Sequence, residues 1–224
     1  MENLKKYKQI YLISYPRCGR HYLALLMELY TGHPLRTEYA YLKKQKNHKY
    51  FVQMAHGLCL DGKENIEYRI NQIQGSNIIY LERIDFLSVV FSYMYYHRHK
   101  LDSYNAASYF LHEYDKHLKK WHTEFKGNML TVTYENLLKD DNEFKKICDF
   151  VSIRFNTDKL HHIKKYLTKE KVRELCSDLE PVNVTMFLND KMYEEKREIF
   201  KKTFSEKLIQ ELNDDSYIKH HFLQ

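Results

Sequence analysis

Proline and glycine are scarce, 3 and 6 in 224 residues, too few for a turn-rich all-β chain. No apolar run approaches the roughly 20 residues a helix needs to cross a bilayer. The opening "MENLKKYKQIYLIS" shows no signal-peptide apolar region and no small-residue cleavage site. The cysteines, at 18, 59, 148 and 176, lie far apart and form no C-x-x-C, and the thirteen histidines form no H-E-x-x-H. These absences argue against a zinc site and for a soluble, reduced, cytoplasmic-type chain with no integral membrane segment. No repeat, low-complexity tract or Pro/Gly/Ser linker divides the sequence, so one domain spanning 1–224 is expected. The adjacent pairs His161–His162 and His220–His221 diverge on any regular element and read as surface residues.

What is present belongs to a folded protein: 43% hydrophobic and 15% aromatic residues supply a core. The formal net charge of +6 favours anionic ligands. Lysine is spread along the chain in no single stripe, so nucleic acid is not an expected partner.

Three segments read as buried strands, each with a helix after it. The first is Gln9 to Ser14; its helix has Tyr22, Leu25, Leu26, Leu29 and Tyr30 on one face, and Gly32 and Pro34 give the stop. The second is "NIIYLE" (77–82), followed by a helix through Phe86, Val89, Val90, Tyr93 and His97. The third is "MLTVTY" (129–134), followed by Leu137, Leu138 and a helix bearing Phe144, Ile147, Cys148 and Val151. A weaker strand, "KYFVQMA" (49–55), lies between the first two in sequence. Alternating strands and helices predict an α/β fold, a central parallel sheet of four to five strands flanked by helices on both faces. The last seventy or so residues read as helical except near Pro181 to Asp190.

Ligands of such sheets bind beyond the carboxyl ends of the strands. The residues there are Ser14 to His21, His56, Arg83 and Tyr134, all polar or titratable groups expected at one edge. The stretch "SYPRCGRHYL" places a glycine and two arginines between a strand and a helix N-terminus. That geometry holds phosphate: the first helical amides have no partner within the helix, and the dipole adds positive potential. Gly19 would let the backbone approach an anion, and Arg17 and Arg20 supply charge. The stretch is not a Walker A loop. On spacing alone, a tight turn with solvated arginines stays an alternative.

"SYPRCGRHYL" resembles the 5′-phosphosulfate loop of the cytosolic-type sulfotransferases, S/T-Y-P-K-S-G-T-T-W-L. "NIIYLERIDFLSVVFSYMYY" is similar to that family's 3′-phosphate strand and helix, with Arg83 and Ser92 in the Arg and Ser roles. "HLKKWHTEFKGNMLTVTYENLLKDDNEFKKICDFVSI" resembles the stretch that carries its Tyr-Glu-Asp-Leu signature. The order and rough spacing of all three agree over about residues 8–155. The sequence departs from the family where Arg17 replaces the usual Lys and where Arg20 and His21 replace two Thr. The separation of Arg83 from Ser92 is one residue longer than in the animal cytosolic enzymes, and no C-terminal R-K-G is visible near "EPVNVTMFLND".

The resemblance implies a P-loop-like sulfotransferase fold with a helical C-terminal part. It implies transfer of a sulfuryl group from 3′-phosphoadenosine 5′-phosphosulfate (PAPS) to a hydroxyl of a small-molecule or glycan acceptor, leaving adenosine 3′,5′-bisphosphate (PAP), with no metal required. Arg17 would contact the phosphosulfate and stabilise the leaving group. The amides of Cys18, Gly19, Arg20, His21 and Tyr22 would cradle the 5′-phosphate. Arg83 and Ser92 would take the 3′-phosphate, and Tyr134 would pack on or hydrogen-bond adenine. His56, matching the His of the family's Lys-Thr-His with Met54 at the Lys position, is the candidate base, since neutral imidazole with a pKa near 6.5 suits that task. A carboxylate such as Glu38 is the competing base. Without the resemblance, Arg83 reads as a surface ion pair with Glu82 or Asp85, and Tyr134 as one core aromatic among 20 tyrosines. The acceptor regions are "RTEYAYLKKQKNHKY" (36–50) and "YMYYHRHKLDSYNAASYF" (93–110), which equally suit a solvated connector and a helix surface. Two other functions fit parts of the pattern: a P-loop-type nucleotide-dependent phosphotransferase, and a sulfotransferase-fold nucleotide-binding module without catalysis.

Overall fold

The computed structural model describes residues 10–32, 52–56, 70–177 and 192–223. Within these, four strands pair in parallel: β1 (Ile10–Ser14), β2 (Val52–His56), β3 (Asn77–Glu82) and β4 (Asn128–Thr133). Their order across the sheet is β2-β1-β3-β4. The strands are matched end to end. Ser14 stands beside His56 on one side and Leu81 on the other, and Glu82 stands beside Thr133. All four carboxyl ends therefore share one edge.

Side chains alternate across a strand, and a parallel sheet buries both faces. Ile10 and Leu12 of β1 join Ile79 and Leu81 of β3 in one apolar cluster, whereas Ile13, Ile78 and Tyr80 face the opposite cluster. The first cluster is closed by α1 (Arg20–Thr31), α4 (Tyr134–Lys139), α5 (Asp141–Phe150) and α6 (Thr157–Tyr166), with α7 (Lys169–Ser177) packed at its margin. The second is closed by α2 (Phe86–Tyr96), α3 (Tyr104–Glu124), α8 (Tyr193–Gln210) and α9 (Tyr217–Phe222).

The helix starts follow from local chemistry. Asp85, Ser103, Thr133, Asp140, Asn156 and Ser216 each accept a hydrogen bond from a backbone N–H of the helix they open. α1 differs: its N-cap is Gly19, which has no side chain to offer the helix amides, and no acidic residue lies in its first turn. Its far end stops as expected, at Gly32 in the left-handed conformation, with its N–H on Glu28 O at 2.8 Å.

Several sequence expectations shift. Tyr134 opens α4 and is not the last strand residue, because the Thr133 hydroxyl caps that helix. The 21-residue α3 runs through a stretch that the strand–helix reading leaves partly as connector. Gln9, the first half of "KYFVQMA", all of 36–50 with Glu38, and the stretch from Pro181 to Asp190 lie outside the described residues. No described helix is long and apolar enough to cross a membrane.

Candidate functional site

The loop from β1 to α1 turns through two left-handed residues, Arg17 (φ 73°) and Gly19 (φ 89°). A non-glycine residue at positive φ is uncommon and costs free energy that the surroundings must offset. Glycine is required at 19 for a second reason: a Cβ there would come within 2.3 Å of the Tyr134 ring. Turns of this kind make anion-binding concavities from successive backbone N–H groups. The Cys18 N–H turns back to Tyr15 O at 3.4 Å, and the first helical bond is Leu23 N–H to Gly19 O at 3.2 Å. The amides ahead of Leu23 thus precede the helical ladder, at the positive end of α1's dipole.

The sequence's two arginine-bearing strand ends meet here. Arg83 Nη1 donates to Arg17 O at 3.2 Å. Arg17 Nε donates to Ser92 Oγ at 2.9 Å, and its guanidinium lies 5.2 Å over the Tyr96 ring. The Arg83 guanidinium lies 5.1 Å over the Tyr134 ring, which also meets Tyr22 edge-on at 5.9 Å. Tyr134 is thereby wedged between the loop glycine and Arg83.

The ion pair of Arg83 is not with its sequence neighbours. Glu82 turns inward, where its carboxylate meets His122 Nε2 and the Tyr217 hydroxyl. Asp85 caps α2 and takes Lys201. Among the described residues, the carboxylate paired with Arg83 is Glu135, 3.8 Å from Nε, and it is itself held by the N–H groups of Ile84 and Asp85. Arg83 Nε is buried and has no hydrogen-bond acceptor among the described residues, so the site holds cationic N–H capacity near the start of α1.

Electrostatics reinforce this. Burial, and then Arg20 and Arg17, push His21 down to about 3, so its imidazole is neutral at pH 7. Burial pushes the Cys18 thiol up to about 12, against the hydrogen bond with Tyr114; it is a thiol, not a thiolate. Arg20 is buried. Near Arg17, the end of α2 carries Tyr93 and His97 with rings 4.4 Å apart, and Tyr96 4.9 Å from His97. Burial, with His99 and Arg17, lowers the His97 pKa. The backbone of His56 stands at the same edge, opposite Ser14.

Two participants escaped the sequence reading. Glu135 lies inside the quoted Tyr-Glu signature, which was its only signal. Tyr114 had none: it shares a helical stripe with Phe110, Leu111, Leu118 and Trp121 and looks like core.

No curated protein matches the chain significantly. Among solved structures, a mouse sulfotransferase complexed with PAP is similar at 19% identity, covering 97% of this chain and 89% of its own, with a TM-score of 0.62. A retinol dehydratase in complex with androsterone and the inactive cofactor PAP has 16% identity, covers 93% and 81%, and has a TM-score of 0.58. At these identities the likeness is one of fold. A sequence profile of the sulfotransferase domain matches residues 7–220, and the chain accordingly belongs to the sulfotransferase family.

Proposed function

We propose that this sulfotransferase-family protein transfers a sulfuryl group from PAPS to an acceptor hydroxyl by in-line displacement. The observation that carries the reading is the meeting of Arg17 and Arg83: two cationic strand ends joined by a 3.2 Å bond, beside a helix N-terminus that opens at glycine. One anion-binding end takes the 5′-phosphosulfate, and the other takes the 3′-phosphate. Arg83 Nε, buried and without an acceptor among the described residues, supports the second assignment, and the start of α1 at a glycine N-cap supports the first.

PAPS supplies the activated sulfuryl group; the protein's task is alignment and charge neutralisation. Arg17 and the loop amides of Cys18 to Tyr22 hold the 5′ end, and Arg17 offsets charge on the departing phosphate. Arg83 holds the 3′-phosphate with Ser92, whose hydroxyl also couples to Arg17. Tyr134 packs against adenine. As the acceptor oxygen bonds to sulfur and the sulfur–oxygen bond to the 5′-phosphate breaks, the acceptor proton passes to His56. The acceptor, a small alcohol, phenol or glycan, lies along the aromatic end of α2 at Tyr93, Tyr96 and His97. No metal is assigned a role, and the cytoplasmic setting proposed follows the likeness of the loop, strand and signature motifs to the cytosolic-type enzymes. The replacement of two loop threonines by Arg20 and His21 favours a second reading, a nucleotide-binding module without turnover.

Radiolabelled sulfate transfer from PAPS to a panel of phenols, alcohols and sugars separates the two readings. Transfer to at least one acceptor is expected, with His56→Ala reducing turnover roughly 10²–10⁴-fold and leaving PAP affinity intact. Tight PAP binding with no transfer to any acceptor would leave the binding-module reading, and unchanged turnover in His56→Ala would remove that residue as the base.

A further inference from the structure

Tyr114 is fully buried on α3, and its ring packs on Tyr15 at 4.9 Å. Its hydroxyl accepts a hydrogen bond from Arg83 N–H at 3.0 Å and donates one to Arg83 C=O at 3.0 Å. The Cys18 thiol lies 3.6 Å from the same oxygen. A phenolic hydroxyl has one donor and two acceptor sites. Donating to the Arg83 carbonyl while accepting from the Arg83 amide and the Cys18 thiol uses all three. One atom, carried on a helix about 30 Å long, therefore ties the loop after β1 to the loop after β3.

The position is specific to the backbone of Arg83. With both its N–H and its C=O fixed by one hydroxyl, the point from which its side chain leaves is fixed too, and from there Nη1 reaches Arg17 O. Cys18 is the anchor on the other side because it sits between left-handed Arg17 and Gly19, facing inward into the aromatic core. A phenylalanine at 114 would fill the same volume. The hydroxyl, not the ring, does the tying.

We infer that the Tyr114 hydroxyl is a positioning group that sets the spacing between the two phosphate grips, and so the preference for a nucleotide phosphorylated at both the 3′ and 5′ positions. This rests on the reading of Arg17 and Arg83 as those grips. A thiol is a weak donor, so the hydroxyl acts mainly on Arg83 and on the 3′-phosphate end.

The test is calorimetric titration of wild type and Tyr114→Phe with PAP and with adenosine 5′-monophosphate, with thermal melts to confirm folding. PAP affinity should fall about tenfold, 5′-monophosphate affinity less than about threefold, and the substitution should add nothing further in an Arg83→Ala background. Equal losses for the two nucleotides, or none, overturn the inference and leave Tyr114 as core. If wild type itself binds no PAP, the nucleotide reading fails first, which is a different result from an unchanged ratio. If Tyr114→Phe does not fold, amide hydrogen exchange at Arg83 in the wild type decides: strong protection is expected, and exchange at the rate of an unbonded amide overturns the strut.

Discussion

In the loop after β1 the main chain carries the special conformation: Arg17 and Gly19 are both left-handed, and the helix that follows opens at a residue with no side chain. In the loop after β3 no residue from Arg83 to Asp85 has a positive φ. Order there comes from side chains, with Tyr114 on the main chain of Arg83 and Glu135 on the amides of Ile84 and Asp85. The contrast teaches where each loop can be damaged. The first fails when its backbone is denied its conformation, whereas the second fails when a distant side chain is removed.

The largest effect should come from Gly19→Ala. A Cβ there meets two Tyr134 ring carbons at 2.3 and 2.5 Å, at a φ of 89°, and backbone strain alone costs about 1–3 kcal/mol. The melting temperature should drop by roughly 5–10 °C, and PAP binding should be lost. Gly32→Ala is the control, since its φ is 72° but nothing among the described residues lies within 4 Å of the added atom. Its melting temperature should move less, and PAP affinity should stay unchanged. Equal effects at 19 and 32 would break the comparison.

Next come the arginines. Arg83→Ala should weaken PAP roughly 10–100-fold, as expected for losing a charge-assisted contact, and leave adenosine 5′-monophosphate nearly unaffected. Arg17→Ala should weaken both nucleotides. If both substitutions weaken both nucleotides alike, the two ends have not been told apart.

A smaller effect concerns acid stability. Burial holds His21 and His117 down to about 3, below the value near 6.5 of an unfolded chain. Between those values the unfolded state binds the extra protons, so stability is full above about pH 6.5 and falls as pH drops toward 3. Melting temperature measured from pH 7.5 to 4 should decline; a flat profile would place both imidazoles in contact with solvent.

Much of this was legible in the sequence, and the physical reasons differ by element. β1 and β3 read clearly because a parallel strand buried on both faces is a nearly unbroken apolar run, and "NIIYLE" coincides with β3. The loop at 14–22 was legible as a tight turn between strand and helix, with Gly19 at positive φ, but spacing alone left an anion grip and a solvated turn as alternatives. The ion partner of Arg83 did not. Its sequence neighbours Glu82 and Asp85 are occupied by His122, Tyr217 and Lys201, and the residue that serves is 52 positions on, at Glu135. Tyr114 was illegible for the same reason: a core helix position predicts an apolar ring, and nothing local shows that its hydroxyl ends on the main chain of residue 83. Spacing along the chain reveals what one loop can do, but contacts between loops come from topology.

The most direct measurement is calorimetric titration of PAP into wild type, Arg17→Ala and Arg83→Ala, with ATP and magnesium as the competing ligand. The account expects wild type to bind PAP in preference to ATP and magnesium, and each substitution to weaken PAP at least about tenfold. PAP binding that is absent from wild type, or untouched by both substitutions, would contradict it.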